Sequence, residues 1–234
     1  MGKVIMSGIV PLLSVPSIAE PNFADNTWAQ IIKVCQTNTV PDTWVVGNQK
    51  SMTIGGTDYV IDIIGKNHDI YSSGGTAPLT FQMHDCYVTG YAMNSSNTNV
   101  GGWTSCAMRT THLPTILALM PNEVQNGIKE VNKLTSAGNE STIINTTADK
   151  LFLLSEVEIY GRTPLYAVEG EGTKYSYYNA KGSTEKNQNG YSSNWWERSP
   201  VDNNSTGFGF VDTAGEKNNA NASGVTGVSF AFCF

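Results

Sequence analysis

The sequence predicts an α+β fold in which short antiparallel strands and two or three helices are joined by long loops. Several short runs of β-branched and aromatic residues end at glycine, asparagine or serine, as strands joined by turns do. One segment has apolar residues at helical spacing. A chain of 234 residues can bury one continuous core. We therefore expect one domain over residues 24–234, preceded by an extended N-terminal arm over residues 1–23.

The predicted arm contains an apolar stretch that Pro11 and Pro16 interrupt. Proline opposes helix and favours extended chain, which predicts an arm that packs on a neighbour or on the domain itself. Lys3 ahead of the stretch gives it some likeness to a signal peptide, but the prolines argue against that alternative. No apolar run approaches the ~20 residues of a membrane-spanning helix, so we expect a soluble protein without membrane insertion.

The first helix is predicted over residues 25–37, where Asp25 or Asn26 can serve as the N-cap. Its apolar residues recur at positions i, i+3, i+4 and i+7, so they should face the core. These residues are Trp28, Ile31, Ile32 and Cys35.

A β-hairpin is predicted next, from the β-rich runs 51–54 and 59–64 on either side of the turn formers Gly55 and Gly56. Residues 79–86 offer a further strand. The hairpin and this strand are the expected beginning of an antiparallel sheet.

Two helices are predicted in the middle of the chain. A helical pattern covers residues 105–120, although Pro114 lies inside it and could break it. Asn122 and Gln125 then resemble a capping box for a second, short helix through Val131.

The second half of the chain predicts strands and loops. The apolar run 150–154 indicates a buried strand, with a corner at 155–158. Residues 161–194 are rich in glycine, asparagine, serine and tyrosine, which is typical of long surface loops. Three β-runs complete the pattern and predict an antiparallel meander with one aromatic face inward. They cover residues 194–198, 208–212 and 225–234.

The charge of the chain argues against nucleic acid as a partner. The formal net charge is -6 and the pI is ≈ 5.0, whereas binding to phosphates needs clustered lysine and arginine. Charged residues make up only 15% of the chain, so its surface should form hydrogen bonds more than ion pairs.

Motifs for metal or cofactor binding are absent from the sequence. The four cysteines form no Cys-x-x-Cys pair, so we expect buried free thiols and no zinc, although disulfides among them stay open. They are Cys35, Cys86, Cys106 and Cys233. His68, His84 and His112 occur singly and are expected to be structural. The alternative is a metal site or general base on the loop that carries His68 and Asp69.

Several strings in the chain together carry a resemblance to a known family. They are Gly101-Gly102-Trp103-x-Ser105 with Met108-Arg109, Asp149-Lys150-Leu151-Phe152-Leu153-Leu154-Ser155-Glu156, Trp195-Trp196-Glu197-Arg198-Ser199-Pro200 and a phenylalanine-rich C-terminal segment. The chain resembles, over residues 25–234, an uncharacterised domain family of gut Firmicutes and their phages that has a Trp-x-x-Arg-Ser-Pro motif. That family is similar to C-type-lectin-like, formylglycine-generating-enzyme-like folds, including the variable proteins of diversity-generating retroelements.

The resemblance implies a C-type-lectin-like domain in which Trp196 and Arg198 serve the core. The catalytic cysteine pair of the formylglycine-generating enzymes has no match here, so that activity is not implied. We expect no catalysis, no cofactor and no bound metal.

The resemblance also points to the asparagine-rich C-terminal region as a ligand-binding surface, because retroelement diversification typically alters asparagine codons there. The candidate residues are Tyr191, Asn203, Asn204, Asn218, Asn219 and Asn221. Asparagine is also an ordinary turn residue, so loop formation is the alternative for the five asparagines among these candidates. Tyr175, Tyr177 and Tyr178 could likewise contact a ligand or pack on the domain.

Three functions are compatible with these patterns. The first is a virion-associated protein that binds a glycan or protein on the host surface, assembled with other virion proteins and as a homo-oligomer. The second is a capsid-decoration or tail-assembly protein without host contact. The third is a glycan-processing enzyme built on a carboxylate pair. Its candidates are Glu169, Glu171 and Asp202.

Overall fold

The computed structural model describes residues 19–161, 164–180 and 183–234, and it confirms the α+β class: few helices and several small antiparallel sheets. The helices in this part of the chain are α1 (Trp28–Gln36), α2 (Gly102–Ser105), α3 (Leu113–Leu117), α4 (Asn122–Gly127) and α5 (Glu156–Tyr160). The strands are β1 (Gln49–Ile54), β2 (Thr57–Lys66), β3 (Leu79–Met83), β4 (Val131–Ser136), β5 (Ile144–Asp149), β6 (Lys186–Gln188), β7 (Tyr191–Ser193), β8 (Trp195–Pro200), β9 (Gly207–Val211), β10 (Lys217–Asn221) and β11 (Ala231–Cys233).

The largest sheet has four strands in the order β1-β2-β3-β11, with antiparallel pairing throughout. The predicted hairpin around Gly55 and Gly56 is confirmed, because both glycines have the positive φ angles that its turn requires. The predicted strand 79–86 is shorter than expected and ends at Met83. The sheet therefore joins strands from both ends of the described chain.

Helix α1 has the predicted buried stripe, but its N-cap was predicted wrongly. Thr27 caps the helix and forms a capping box with Gln30, whose side chain accepts a hydrogen bond from the Thr27 N–H. The Asn26 side chain instead donates to the carbonyl oxygens of Glu20 and Asn22. Asn26 therefore fixes the approach of the preceding segment to the helix.

The predicted helix 105–120 is shorter than expected. It consists of a π-helical turn over Met108–His112 that runs into α3, while α2 precedes it and ends at Ser105. Pro114 does not end the helical backbone, because it lies at the junction where the π-helical turn passes into α3.

The helix predicted from Asn122 through Val131 is too long. α4 ends at Gly127, and Val131 begins β4, which pairs with β5. Ile128 has extended backbone angles, which end the helix. The β4–β5 hairpin is a structure that the sequence did not predict.

The segment after β5 also differs from prediction. Residues 151–154 are buried but form no strand; their backbone pairing is one bridge between Phe152 and Ala231. The predicted corner at 155–158 is the start of α5, which Ser155 and Glu158 open as a capping box. Ser155-x-x-Glu158 is the sequence signature of a capping box, and the prediction of a corner overlooked it.

The C-terminal runs divide between two sheets. β8, β9 and β10 form a three-stranded antiparallel sheet, and the third predicted run contributes β11 to the four-stranded sheet instead. The region 161–194 is mostly loop, as predicted, but it also contains the β6–β7 hairpin and a 3-10 turn at Ser176–Asn179. The expected single meander is therefore wrong.

The core is rich in aromatic residues from distant parts of the chain. Phe23 packs against Trp44 and Phe81, and Trp28 packs against Phe81 and Phe234. Phe23 was predicted in the arm, yet it is buried; residues 1–18 lie outside the described residues. None of the helices in the described part of the chain is both long enough and apolar enough to cross a bilayer.

All four cysteines are buried free thiols. Burial raises the pKa of Cys35 to about 12, and Cys86 and Cys106 have pKa values raised to about 12 by the same cause. Such thiols stay protonated at neutral pH and are poor nucleophiles.

Candidate functional site

Three loops lie side by side on one face of the domain. They are residues 94–98, 203–206 and 221–226, and we call them the loop face. Asn94 N–H donates to the Ala222 carbonyl at 2.9 Å, and Ala222 N–H donates to the Thr206 carbonyl at 2.9 Å. The Asn97 side chain accepts hydrogen bonds from both the N–H and the hydroxyl of Ser223. Segments more than 100 residues apart in sequence thus form one surface.

The buried side chain of Asn99 links two of these loops from the interior of the domain. Its side chain is fully buried, and its amide donates to the carbonyl oxygens of Val201, Asn204 and Gly207 at 3.3, 2.9 and 2.9 Å. Its amide oxygen accepts from the N–H of Asn139 at 2.8 Å. One side chain therefore fixes the β8–β9 turn relative to the 94–98 loop.

The six predicted ligand-binding residues divide into two kinds. Asn204 and Asn218 use their side-chain oxygens locally, Asn204 accepting from the N–H groups of Thr206 and Gly207 and Asn218 from Asn219 N–H. The Asn204 contacts fit the alternative prediction of loop formation. That alternative is wrong for Asn218, Asn219 and Asn221, which lie on β10.

Asn203 and Asn221 are exposed, and within the described residues their side chains have no hydrogen-bond partner. Both lie on the loop face. Asn219 lies on β10, an edge strand of the three-stranded sheet that leads into the loop face. Its side chain is partly exposed. Asn203 and Asn221 are therefore predicted residues whose exposed side chains remain available to a ligand.

Tyr191 is 80% exposed at the start of β7. The β6–β7 hairpin that carries Tyr191 is anchored close to the loop face. Gln188 of the hairpin donates to the Tyr87 carbonyl at 2.8 Å, and the nearby Tyr91 pairs with Thr226 of the loop face. Tyr175 and Tyr178 are buried and pack in the core, so the packing alternative holds for them.

The three segments of the loop face contain no charged residue. None occurs in residues 86–108, 203–211 or 218–234. The exposed groups are instead amides, hydroxyls and a few apolar side chains, including Val100 and Val225, which are 57% and 71% exposed. This surface can recognise a ligand by hydrogen bonds and apolar contact, with little electrostatic attraction.

A buried ionic network lies elsewhere in the domain and joins β4, α5 and β8. Lys133 Nζ lies 2.8 Å from Asp69 Oδ1 and 2.6 Å from Glu158 Oε1, and Arg198 Nη1 lies 2.5 Å from Glu158 Oε2. The Arg198 guanidinium also donates to the carbonyl oxygens of Leu134, Leu153 and Glu171. Every charged group in the network thus has partners.

The network controls the ionisation of its carboxyl groups. Burial alone would raise the pKa of Glu158, but Arg198 and Lys133 outweigh it, so this pKa is held below its usual value. The same balance, with Lys133 as the main opposing charge, lowers the pKa of Asp69 to about 2. Such complete pairing is typical of a structural network.

A cavity of ≈ 360 Å³ opens above this network, and His68 lies at its edge. His68 stacks on Tyr175, with ring centroids 3.9 Å apart. Within the described residues, no group of three or more His, Cys, Asp or Glu side chains is arranged to hold a metal ion. His84 bonds to Asp62 at 2.9 Å, and His112 stacks on Tyr91.

The three candidate catalytic carboxylates do not share one site. Glu169 and Asp202 line an open cavity of ≈ 580 Å³, which Glu171 does not line. Glu171 is buried and accepts hydrogen bonds from Ser136 N–H and the Ser199 hydroxyl. Burial raises the pKa of Glu171 above its usual value.

Sequence reasoning missed the 94–98 loop, Asn99 and the ionic partners of Arg198. The first two had a detectable signal, because residues 94–99 form the same uncharged run of asparagine, serine and threonine as the predicted C-terminal sites. Lys133 and Glu158 had no such signal, since single charged residues in a sequence do not show that they are buried.

Comparison with known proteins identifies one family. Residues 80–234 match the family model described as a domain of unknown function (DUF6273). The match includes β3 from Thr80 onwards, all three segments of the loop face and Arg198. No curated protein and no solved structure matches the chain.

Proposed function

The chain belongs to the DUF6273 family, and we propose that its domain is a non-catalytic binding module of the C-type-lectin-like kind. In this proposal the protein is part of a phage particle, and the loop face recognises a glycan or protein on the surface of the host bacterium. Support for the fold comes from the small antiparallel sheets, the short helices and the resemblance around Arg198. Support for the function comes from the loop face.

The observation that carries the proposal is the convergence of three uncharged loops, two of which Asn99 holds in place. A surface fixed before binding loses little conformational entropy when the ligand arrives. Amides and hydroxyls supply hydrogen bonds, and exposed apolar or aromatic side chains supply contact area, as in antibody loops. Asn203, Asn221 and Tyr191 have the exposed side chains that this role needs.

Binding to whole cells tests the proposal. The fluorescently labelled full chain would be incubated with cells of gut Firmicutes isolates, and bound protein measured by flow cytometry. We expect saturable binding that the double variant Asn203→Ala, Asn221→Ala reduces at least about tenfold, a loss of ~1.4 kcal/mol. Asn132→Ala is the matched control, because Asn132 is an exposed asparagine on β4, outside the loop face.

Two results would contradict this function. One is equal cell binding by the double variant and the Asn132→Ala control. The other is an electron-microscopy map of the native particle in which the loop face is buried between subunits. The second result would favour a capsid-decoration or tail-assembly role.

A further inference from the structure

The outer edge of strand β5 is open. The hydrogen bond from Ala137 N–H to the Ile143 carbonyl shows which residue pairs of the β4–β5 hairpin are hydrogen-bonded to each other. The alternate residues of β5 therefore direct their N–H and C=O groups away from β4. These are Ile144, Thr146 and Ala148. Within the described residues, the N–H and C=O groups of Ile144 and Thr146 have no hydrogen-bond partner.

The outer edge of the neighbouring strand β4 is occupied. Asn132 N–H donates to the Ile70 carbonyl, the Leu134 carbonyl accepts from Arg198, and Ser136 N–H donates to Glu171. On β5, only the Ala148 carbonyl is engaged, by the Arg109 guanidinium at 3.2 Å. The hairpin therefore has one closed edge and one open edge.

The residues of the open edge do not protect it from pairing. Natural edge strands usually carry charged residues or proline to prevent association. Residues 141–148 contain neither, and Ile143 is 65% exposed beside them. An exposed, uncharged strand edge of this kind is a template for another strand.

We propose that β5 pairs antiparallel with β5 of a second copy of this chain, which joins two hairpins into a continuous four-stranded sheet. A two-fold interface requires a self-complementary surface, and an antiparallel strand edge is one. In the register that places Asn145 opposite Asn145 of the second copy, Ile144 lies opposite Thr146. All the open backbone groups of these two residues then find partners.

One feature selects this register. It leaves the contact between Arg109 and the Ala148 carbonyl intact, whereas a shift that centres the pairing on Thr146 would require that carbonyl. The paired segment 144–148 itself contains no charged residue, so no charge repulsion opposes the pairing of two copies.

Charge substitutions at the two-fold axis test the proposal, because residue 145 faces itself. The full chain should sediment as a concentration-dependent dimer in analytical ultracentrifugation. Asn145→Lys and Asn145→Glu should each be monomeric, since like charges would meet across the axis. An equimolar mixture of the two variants should dimerise again, which a variant that had failed to fold could not do.

Hydrogen exchange supplies a second measurement. The amides of Ile144 and Thr146 should become more protected as protein concentration rises, while exposed amides outside β5 do not change. A wild-type chain that stays monomeric at every concentration would overturn the proposal. So would a dimer that both Asn145 variants leave intact, or variants that remain monomeric when mixed.

Discussion

Glu197 on β8 lies directly above Gly209 on β9. A β-carbon at residue 209 would come 2.4 Å from Glu197 Oε2 and 3.3 Å from its Cδ. Glu197 is almost fully buried, and within the described residues neither carboxylate oxygen has a hydrogen-bond partner. The glycine provides the space in which this carboxyl is held.

Replacement of this glycine should destabilise the domain. We expect Gly209→Ala to lower the free energy of unfolding by about 1–3 kcal/mol, the usual cost of excess volume in a packed core. The loss should shrink when Glu197 is also replaced by alanine, because the clash is with that side chain. Urea denaturation of the four proteins in this double-mutant cycle measures both values. Equal losses in the two backgrounds would contradict the contact.

The Glu197 carboxyl should make stability depend on pH. Burial raises its pKa well above the usual value, and Glu156 and Glu171 add to the shift. The folded protein therefore keeps a proton that the unfolded chain releases above its pKa near 4.5, so stability falls as pH rises.

Glu197→Gln cannot ionise and should lose less stability than the wild type between about pH 5 and pH 8. We expect a difference of about 1 kcal/mol or more over that range. Urea denaturation at both pH values measures it. Parallel pH profiles for the two proteins would show that Glu197 is ionised in the folded state.

Asp69 should have the opposite pH dependence. Its pKa is lowered to about 2, from 3.8, because Lys133 and the hydrogen bonds that Asp69 accepts outweigh burial. Its contribution to stability is therefore present above pH 4 and is lost as pH falls towards 2.

Asp69→Asn should be less stable than the wild type at pH 7 by at least about 2 kcal/mol, and this gap should narrow at low pH. Denaturation between about pH 2 and pH 7 measures both. A gap that stays constant over that range would argue against ionised pairing of Asp69 with Lys133.

Arg198→Lys should be strongly destabilising even though it keeps the charge. The guanidinium contacts Glu158 and three carbonyl oxygens from different segments, which a lysine ammonium cannot reach together. We expect a loss of about 3–5 kcal/mol in urea denaturation.

Arg109→Lys is the matched control for this substitution. Arg109 is partly exposed and paired with Asp149, so its replacement should cost less than that of Arg198. Similar losses for the two variants would show that burial of the Arg198 network does not increase its contribution to the free energy of unfolding.

Local sequence patterns were sufficient for part of the fold. The apolar stripe of α1 and the hairpin around Gly55 and Gly56 depend on residues a few positions apart, so periodicity and turn chemistry predicted them. The β4–β5 hairpin was missed because β4 carries the charged Lys133 on its buried face. The α5 capping box was a readable local pattern, Ser155-x-x-Glu158, that was interpreted as a corner.

The candidate site was predicted only in composition. The sequence determined that the C-terminal region is rich in asparagine. It could not determine that Asn204 and Asn218 accept hydrogen bonds from nearby backbone N–H groups while Asn203 and Asn221 stay exposed, because those roles depend on the backbone path.

The sequence by itself determined the α+β class, the buried stripe of α1, the first hairpin and the asparagine-rich composition of the C-terminal region. Each is a property of neighbouring residues. Only the tertiary structure decided that Asn99 holds a loop 108 residues further along the chain, at Gly207, and that Lys133 meets Asp69 and Glu158. Contacts over such separations form when the core brings whole segments together, and no local pattern specifies which side chains then meet.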